Sequence, residues 1–288
     1  MVDTARRLKT NVEGPFYVNT RCINCDTCRQ LAPETFAEQG NYSSVVHQPD
    51  DDAEKRRAYH ALLSCPVAAI VSADKDGLQE AADDFPLYLE EEVYYCGYTS
   101  EKSFGGSSYF LRHPEGNWLI DSPRFVPHLA RKFEEMGGIR YIFLTHHDDI
   151  ADAPRYAKHF GAERIIHEHE KKAQPDAEIL IGESVPFEWA PDFRIIPTPG
   201  HTRGHMVLLY RNKFLFTGDH LAWSRKSDGL VAFPDYCWYS WDQQLDSLAR
   251  LAEESFEWIL PGHGERAKRG TADLRRKLLE LLERYGYR

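Results

Sequence analysis

The stretch Phe193-Arg-Ile-Ile-Pro-Thr-Pro-Gly-His201 joins an apolar, strand-like run to a glycine turn and a histidine. The same arrangement recurs at Phe214-Leu-Phe-Thr-Gly-Asp219 and at Trp258-Ile-Leu-Pro-Gly-His263. A fourth apolar run, at residues 139–144, ends at Thr145-His146-His147-Asp148-Asp149. One histidine at a strand end is usually an ordinary surface or core residue. Four strands that each end in His or Asp predict a shared site, because α/β architectures place their sites at strand ends.

Strands and helices alternate around these four runs. Two strand-like segments, at residues 107–113 and 117–122, are joined by a turn that begins at Pro114. A helix is predicted over residues 126–136, where Gly137-Gly138 ends it. Apolar residues at three- and four-residue spacing predict two further helices, at 243–255 and 272–284.

Three of the strand-end motifs are similar to the later motifs of the metallo-β-lactamase superfamily. They are Thr-Pro-Gly-His201-Thr-x-Gly-His205, Phe-Thr-Gly-Asp219 and Leu-Pro-Gly-His263, and the resemblance covers roughly residues 95–288. It implies an αββα sandwich with a metal site at one edge of two packed sheets. It also implies that His201 binds a first metal, that Asp219 bridges two metals, and that His263 binds the second.

The first loop departs from the pattern of that superfamily, which is His-x-His-x-Asp-His. Laid from His146, the pattern places Asp148 where the family has its middle histidine, and Ala151 where it has the last one. A shift of two residues moves the final pair to Asp152-Ala153, which also lacks the last histidine.

Asp148 therefore changes the predicted metal. Together with His146 and His201 it would form a two-histidine, one-carboxylate set, which suits non-haem Fe(II). We expect iron in this site, with zinc or manganese as alternatives. The second position would keep Asp219, His263 and either Asp149 or Asp152.

The N-terminal third carries a second signature, Cys22-Ile-Asn-Cys25-Asp-Thr-Cys28, with a distant Cys65-Pro66. Three thiolates on a tight loop and a fourth before proline are typical ligands of an iron-sulfur cluster. The segment resembles single-cluster bacterial ferredoxins over about residues 15–80, including the stretch Ala32-Pro-Glu-Thr-Phe36, and this predicts one [4Fe-4S] cluster. Zinc is the alternative, although zinc modules usually show two separated ligand pairs.

These signatures predict an α+β chain of two domains. A ferredoxin-like [4Fe-4S] domain would occupy residues 1–80, an acidic linker residues 81–94, and an αββα metallo-β-lactamase sandwich residues 95–288. The linker prediction depends on residues 72–92, which contain many Asp and Glu residues, the pairs Asp76-Gly77 and Phe85-Pro86, and little hydrophobic periodicity.

The composition limits the kinds of partner that we expect this chain to bind. The net charge is -10 over 288 residues, and no dense Lys/Arg cluster indicates a nucleic-acid surface. No apolar run reaches the roughly 20 residues that span a bilayer. Six cysteines, three of them within seven residues, are typical of ligands in a reducing compartment. We expect a cytoplasmic protein that binds a small-molecule substrate, not nucleic acid or membrane, with a redox partner protein as an option.

Three functions remain open at this point. The first is a redox enzyme in which the cluster passes electrons to a non-haem iron held by His146, Asp148, His201 and Asp219. The second is a metal-dependent hydrolase of an ester, thioester or lactone, in which Asp219 or Asp152 orients water and the cluster is structural or regulatory. The third is an electron-transfer or scaffold protein with a degenerate metal site.

Overall fold

The computed structural model describes residues 6–287. Residues 1–5 of the predicted cluster domain and residue 288 lie outside the described residues. The described chain divides into two compact units: unit 1 comprises residues 6–139 and 151–160, and unit 2 comprises residues 140–150 and 161–287. No described helix is long and apolar enough to cross a membrane.

Unit 1 contains eight strands and five α-helices among its described residues. In chain order they are β1 (Phe16–Val18), α1 (Thr27–Leu31), β2 (Phe36–Gln39), β3 (Tyr42–Val45), α2 (Asp52–Ser64), β4 (Ile70–Ser72), α3 (Leu78–Asp83), β5 (Leu87–Glu90), β6 (Val93–Tyr95), β7 (Tyr109–Leu111), β8 (Trp118–Ile120), α4 (Pro127–Glu135) and α5 (Ala153–Phe160). The pairs β1–β4 and β2–β3 are antiparallel. Strands β5 to β8 form an antiparallel meander.

Helix α2 shows why its sequence begins and ends where it does. The Asp51 side chain accepts a hydrogen bond from Glu54 N at 2.8 Å, which satisfies one of the free N–H groups of the first turn. The helix ends at Ser64, immediately before Cys65-Pro66, because proline disfavours helical backbone in the residue before it. Buried Ala58, Tyr59 and Ala61 face the apolar core of the cysteine-containing segment.

Residues 81–94, which were predicted to form a linker, instead belong to regular secondary structure. They contain the end of α3 and the strands β5 and β6, and β6 pairs with β7. Val93 and Tyr95 are buried while Tyr94 between them is partly exposed, which is the alternation of a half-buried strand. The acidic residues on either side concealed this short signal. Unit 1 therefore also extends past the predicted domain boundary.

Unit 2 contains the strand ends that carry the predicted ligands. Its elements are β9 (Tyr141–Phe143), β10 (Glu163–His167), β11 (Ile179–Ile181), β12 (Phe187–Ala190), β13 (Phe193–Pro197), β14 (Met206–Tyr210), β15 (Phe214–Gly218), β16 (Ala222–Ser224), β17 (Gly229–Val231), α6 (Trp241–Leu251), β18 (Trp258–Pro261), β19 (Ala267–Lys268) and α7 (Thr271–Arg284). Strands β9, β10 and β11 run parallel. A six-stranded sheet has the order β12-β13-β14-β15-β18-β19, in which only β15 and β18 pair in parallel.

The four apolar runs predicted as strands are confirmed as β9, β13, β15 and β18. Strands β14 and β15 are buried along their whole length, as expected for strands covered on both faces. Helices α6 and α7 pack on this sheet through leucines at helical spacing, among them Leu245, Leu248, Leu274 and Leu278. The predicted helices at 126–136, 243–255 and 272–284 correspond to α4, α6 and α7, with ends that differ by a few residues.

Candidate metal centres

The loop after β9 brings its first histidine into the interior of unit 2. His146 is fully buried, and its Nδ1 lies 2.9 Å from Thr145 Oγ1. Its Nε2 has no hydrogen-bond partner and lies 3.6 Å from Asp219 Oδ2. Because burial lowers the pKa of His146, the ring is neutral, which is the form that binds a metal.

His201 faces the same carboxylate from the loop after β13. It is 3% exposed, neither ring nitrogen has a hydrogen-bond partner, and its Nε2 lies 3.8 Å from Asp219 Oδ2. The ligand atoms of His146, His201 and Asp219 lie within 4.8 Å of one another. Bond lengths of about 2.1 Å place neighbouring ligands of a tetrahedral ion about 3.4 Å apart, so this spacing fits one metal ion.

Asp148, predicted as the carboxylate ligand that joins His146 and His201, lies beside this group. Its Oδ2 is 3.8 Å from His146 Nε2 and 3.5 Å from His201 Nε2. Burial works to raise the pKa of Asp148, but the neighbouring imidazoles of His201, His146 and His147 outweigh it, so the pKa of Asp148 is lowered. Asp148 is thus an ionised carboxylate placed to join the two histidines.

A second group shares Asp219. The ligand atoms of Asp149, Asp219 and His263 also lie within 4.8 Å of one another, and His263 Nδ1 is 2.8 Å from Asp219 Oδ1. Burial would raise the pKa of Asp219, but the neighbouring rings of His263 and His146 outweigh it and hold the pKa of Asp219 well below its usual range. Of the two residues that the sequence left open for this position, the structure brings Asp149 here.

Asp152, predicted as a catalytic residue, is not brought into either group. Its carboxylate accepts a hydrogen bond from Phe125 N at 2.8 Å and pairs with Lys102 Nζ at 2.6 Å, both in unit 1. It directly precedes α5, where a carboxylate is stabilised by the free N–H groups of a helix start. The structure therefore assigns Asp152 a structural position and corrects that prediction.

Gly262 allows the carboxylates of the second group to meet. A Cβ at this residue would lie 2.3 Å from Asp149 Oδ2 and 2.7 Å from Asp219 Oδ1. No side chain larger than hydrogen fits there without moving both ligands. The close approach of the Asp149 and Asp219 carboxylates to the backbone therefore explains why glycine precedes His263.

Two side chains contact Asp148, and a third, Glu170, contacts one of these two. Trp238 Nε1 donates a hydrogen bond to Asp148 Oδ2 at 3.1 Å, and His147 Nε2 lies 3.3 Å from Asp148 Oδ1. The other nitrogen of His147 contacts buried Glu170, which also accepts a hydrogen bond from Gly204 N at 2.6 Å. No local motif announces Glu170, because its partners are distant in sequence. Such outer contacts fix ligand orientation at metal sites.

His205 and His220 lie behind the ligands. Both are fully buried, and the His205 ring centroid is 5.1 Å from that of His146 and 5.2 Å from that of His220. His205 Nδ1 lies 2.8 Å from Thr198 Oγ1. Burial lowers the pKa of His220 to about 3, so it stays neutral at physiological pH.

The cysteine set lies in unit 1. The four cysteines line one cavity together with apolar residues such as Val18 and Ile70. Their sulfur atoms are not among the described groups of ligand atoms within 4.8 Å of one another, whereas four thiolates around one zinc ion would be about 3.8 Å apart. Burial raises the pKa of the Cys25 and Cys28 thiols.

Backbone amides and one glycine shape this cavity. Ala69 N donates to Cys65 Sγ at 3.2 Å, and Ser43 N donates to Cys22 Sγ at 3.4 Å. Gly105 has φ +89°, and a Cβ there would lie 2.9 Å from Cys25 Sγ. The four thiols, their amide donors and the close approach of Gly105 to Cys25 fit an iron-sulfur cluster.

Comparisons with known proteins match both segments of the chain that carry these residues. Residues 90–282 match the family model of the metallo-beta-lactamase superfamily, and the chain belongs to that superfamily. Residues 18–72 match the family described as the 4Fe-4S single cluster domain of Ferredoxin I. The chain is thus a metallo-β-lactamase-superfamily protein in which a [4Fe-4S] domain precedes the metallo-β-lactamase domain, as the resemblance predicted.

Two curated relatives cover only part of this chain. A beta-lactamase-like protein 2 homolog of Drosophila melanogaster is 27% identical over 180 residues, which are 56% of this chain and 59% of that protein. A hydroxyacylglutathione hydrolase of Rhizobium etli is 30% identical over 139 residues, which are 46% of this chain and 52% of that protein. This chain therefore spans little more than half the length of either relative.

Solved structures support the fold alone. A metallo-beta-lactamase from Hirschia baltica has a TM-score of 0.52 at 16% identity, over 68% of this chain and 96% of that one. The metallo-beta-lactamase FIM-1 from Pseudomonas aeruginosa, in its mono-zinc form, has a TM-score of 0.51 at 18% identity, over 70% of this chain and 95% of that one.

Proposed function

We propose that the chain is a metal-dependent hydrolase of an ester or thioester. The observation that supports this best is the position of Asp219, whose carboxylate belongs to two adjacent groups of metal-ligand side chains. A carboxylate shared in this way is suited to a two-metal site. Similarity to proteins named hydroxyacylglutathione hydrolases supports the same class of reaction.

The proposed reaction is hydrolysis of an acyl compound by water. The oxygen of water forms a bond to the acyl carbon, the bond from that carbon to the leaving oxygen or sulfur breaks, and the leaving group takes up a proton. When bound, metal ions supply a coordinated water of lowered pKa and polarise the carbonyl group. The protein supplies the buried imidazoles of His146 and His201 and an ionised Asp219, which suit a cation in their midst.

The surface next to Asp148 supports a small organic substrate. Trp238 donates to Asp148 yet is 61% exposed, and its ring centroid is 6.2 Å from that of Tyr236, which is also 61% exposed. The backbone N–H of Trp238 donates to His201 O at 2.8 Å, which ties this aromatic segment to a ligand loop. We infer that the two rings contact the acyl or leaving group.

The test is turnover of S-acyl thioesters and aryl esters by the metal-loaded chain, with and without the cluster. We expect hydrolysis that is lost in His201→Ala and retained in His159→Ala, since His159 is an exposed histidine paired with Glu134 in unit 1. Removal of the cluster should leave the rate within about threefold. Absence of hydrolysis across the panel with both metals bound would refute the proposal.

A redox enzyme is the second candidate, and Asp148 favours it. A carboxylate beside His146 and His201 is a set that suits non-haem iron, and the chain carries a complete cysteine set for a cluster that accepts electrons. In this case a protein or small-molecule reductant would donate electrons to the cluster. Metal analysis after anaerobic purification separates the candidates, because zinc alone in the site of unit 2 would exclude the redox enzyme.

A further inference from the structure

Cys65 directly follows helix α2. The last carbonyl groups of this helix accept hydrogen bonds from two residues outside the cysteine-containing segment, Arg124 and Thr99. The carbonyl of Leu63 accepts a hydrogen bond from Arg124 Nη2 at 2.6 Å, and that of Cys65 accepts one from Arg124 Nη1 at 3.0 Å. The carbonyl between them, on Ser64, accepts from Thr99 Oγ1 at 2.7 Å. Three consecutive carbonyls at a helix end are thereby satisfied by two side chains.

Arg124 is itself fixed in place. Its Nη1 also donates to Thr99 O at 2.8 Å, its backbone N donates to Tyr98 O at 2.9 Å, and its guanidinium lies 5.5 Å from the centre of the Tyr98 ring. Its backbone carbonyl accepts from Tyr156 OH at 3.2 Å. A side chain held at this many points loses little further freedom when it acts on a neighbouring group.

The charge of Arg124 is not neutralised by an acid. Among residues 6–287, no carboxylate forms an ion pair with it, and its guanidinium contacts are backbone carbonyls and an aromatic ring. Burial lowers the pKa of Arg124 and the nearby Cys65 thiol opposes that shift, but an arginine remains protonated at physiological pH. A permanent, poorly solvated cation therefore lies next to a cluster ligand.

We propose that Arg124 is a positioning residue of the iron-sulfur site that stabilises the reduced cluster, and that Thr99 completes the clamp on Cys65. Both residues lie outside the matched segment 18–72. Addition of one electron makes the cluster and its four thiolates more negative by one charge, so a fixed cation favours the reduced form. This effect belongs to the cluster and does not depend on the reaction in unit 2.

The test uses the full chain with its cluster assembled anaerobically. Iron and acid-labile sulfide per chain report assembly, and a mediated titration followed by electron paramagnetic resonance reports the reduction potential. Arg124→Gln removes the charge, and Arg124→Lys keeps it. Arg112→Gln is the matched control, because Arg112 is an exposed arginine of unit 1 whose Nη1 is 3.5 Å from Glu92.

We expect Arg124→Gln to make reduction at least tenfold less favourable, which for one electron is a shift of about 59 mV to lower potential. Arg124→Lys and Arg112→Gln should stay within that range of the unaltered chain. Thr99→Val should lower cluster retention without a tenfold change in the reduction equilibrium.

An assembled Arg124→Gln cluster at the original potential would overturn the proposal. So would equal shifts in the Gln and Lys variants, since the charge would then be irrelevant. If Arg124→Gln fails to assemble its cluster, the Lys variant decides: an assembled cluster near the original potential supports the proposal, and loss of the cluster there as well overturns it.

Discussion

Replacement of Gly262 by alanine is the sharpest perturbation of the shared metal site. The new methyl carbon would lie 2.3 Å from Asp149 Oδ2 and 2.7 Å from Asp219 Oδ1. Carbon and oxygen atoms in even a weak C–H···O contact are about 3.3 Å apart, so the two oxygens must retreat by about 1.0 and 0.6 Å. Gly262 has no left-handed φ, so the change acts by contact alone.

This displacement is large on the scale of metal coordination. Ligand distances in metal sites hold to about 0.2 Å, and loss of a supporting contact alone costs about 10- to 100-fold in metal affinity. We expect the position formed by Asp149, Asp219 and His263 to lose at least that much. The other position should retain its ion, because Asp219 Oδ2, not Oδ1, faces His146 and His201.

The assay is metal stoichiometry by mass spectrometry after dialysis, together with a zinc or manganese titration, with cluster iron counted from acid-labile sulfide. Gly262→Ala should retain one site ion fewer than the unaltered chain. Gly270→Ala is the control, because a Cβ there meets nothing within 4 Å. Two retained ions with affinities within about threefold of the original would refute the reasoning.

Three further predictions follow from single contacts. Asp152→Ala should leave metal content unchanged and cost about 1 kcal/mol in the free energy of unfolding, measured by thermal melting, because it loses the hydrogen bond from Phe125 N. Asp148→His should raise the zinc-to-iron ratio in the site of unit 2, measured on protein loaded from equal concentrations of both, because an imidazole replaces a harder carboxylate. The hydrogen bond from Arg164 lowers the pKa of Glu178 from 4.5 to about 2. Its stabilising effect is therefore present above pH 4.5 and is lost as the pH falls towards 2, so the stability difference between the unaltered chain and Glu178→Gln should shrink over that range in urea melts.

The predictable parts of the site were those in which the ligand and the strand that positions it lie within a few residues of each other in sequence. His201, Asp219 and His263 each follow an apolar strand and a glycine turn, so both the strand and the ligand were visible in a few residues. Asp149 and Asp152 were not distinguishable, because the choice depends on where α5 begins. Asp149 lies in the ligand loop, whereas Asp152 lies at the start of α5 and accepts a hydrogen bond from Phe125 N, which is 27 residues away in sequence.

Long-range contacts account for what the sequence concealed. Glu170 meets Gly204 across 34 residues, and Arg124 reaches Cys65 across 59. The sequence around each of these residues contains no pattern from which its partner could be predicted. Strands β5 and β6 were missed for a different reason, since each is only three or four residues long and lies among acidic side chains.

The membership of Asp219 in both ligand groups couples the two positions thermodynamically. An ion bound at either position withdraws charge from the carboxylate that the other needs, and its own charge repels a second cation. By linkage, each ion lowers the affinity for the other by the same factor. Occupancy then depends on metal concentration in two separate steps, and a preparation with one ion per chain is a defined state on the binding curve.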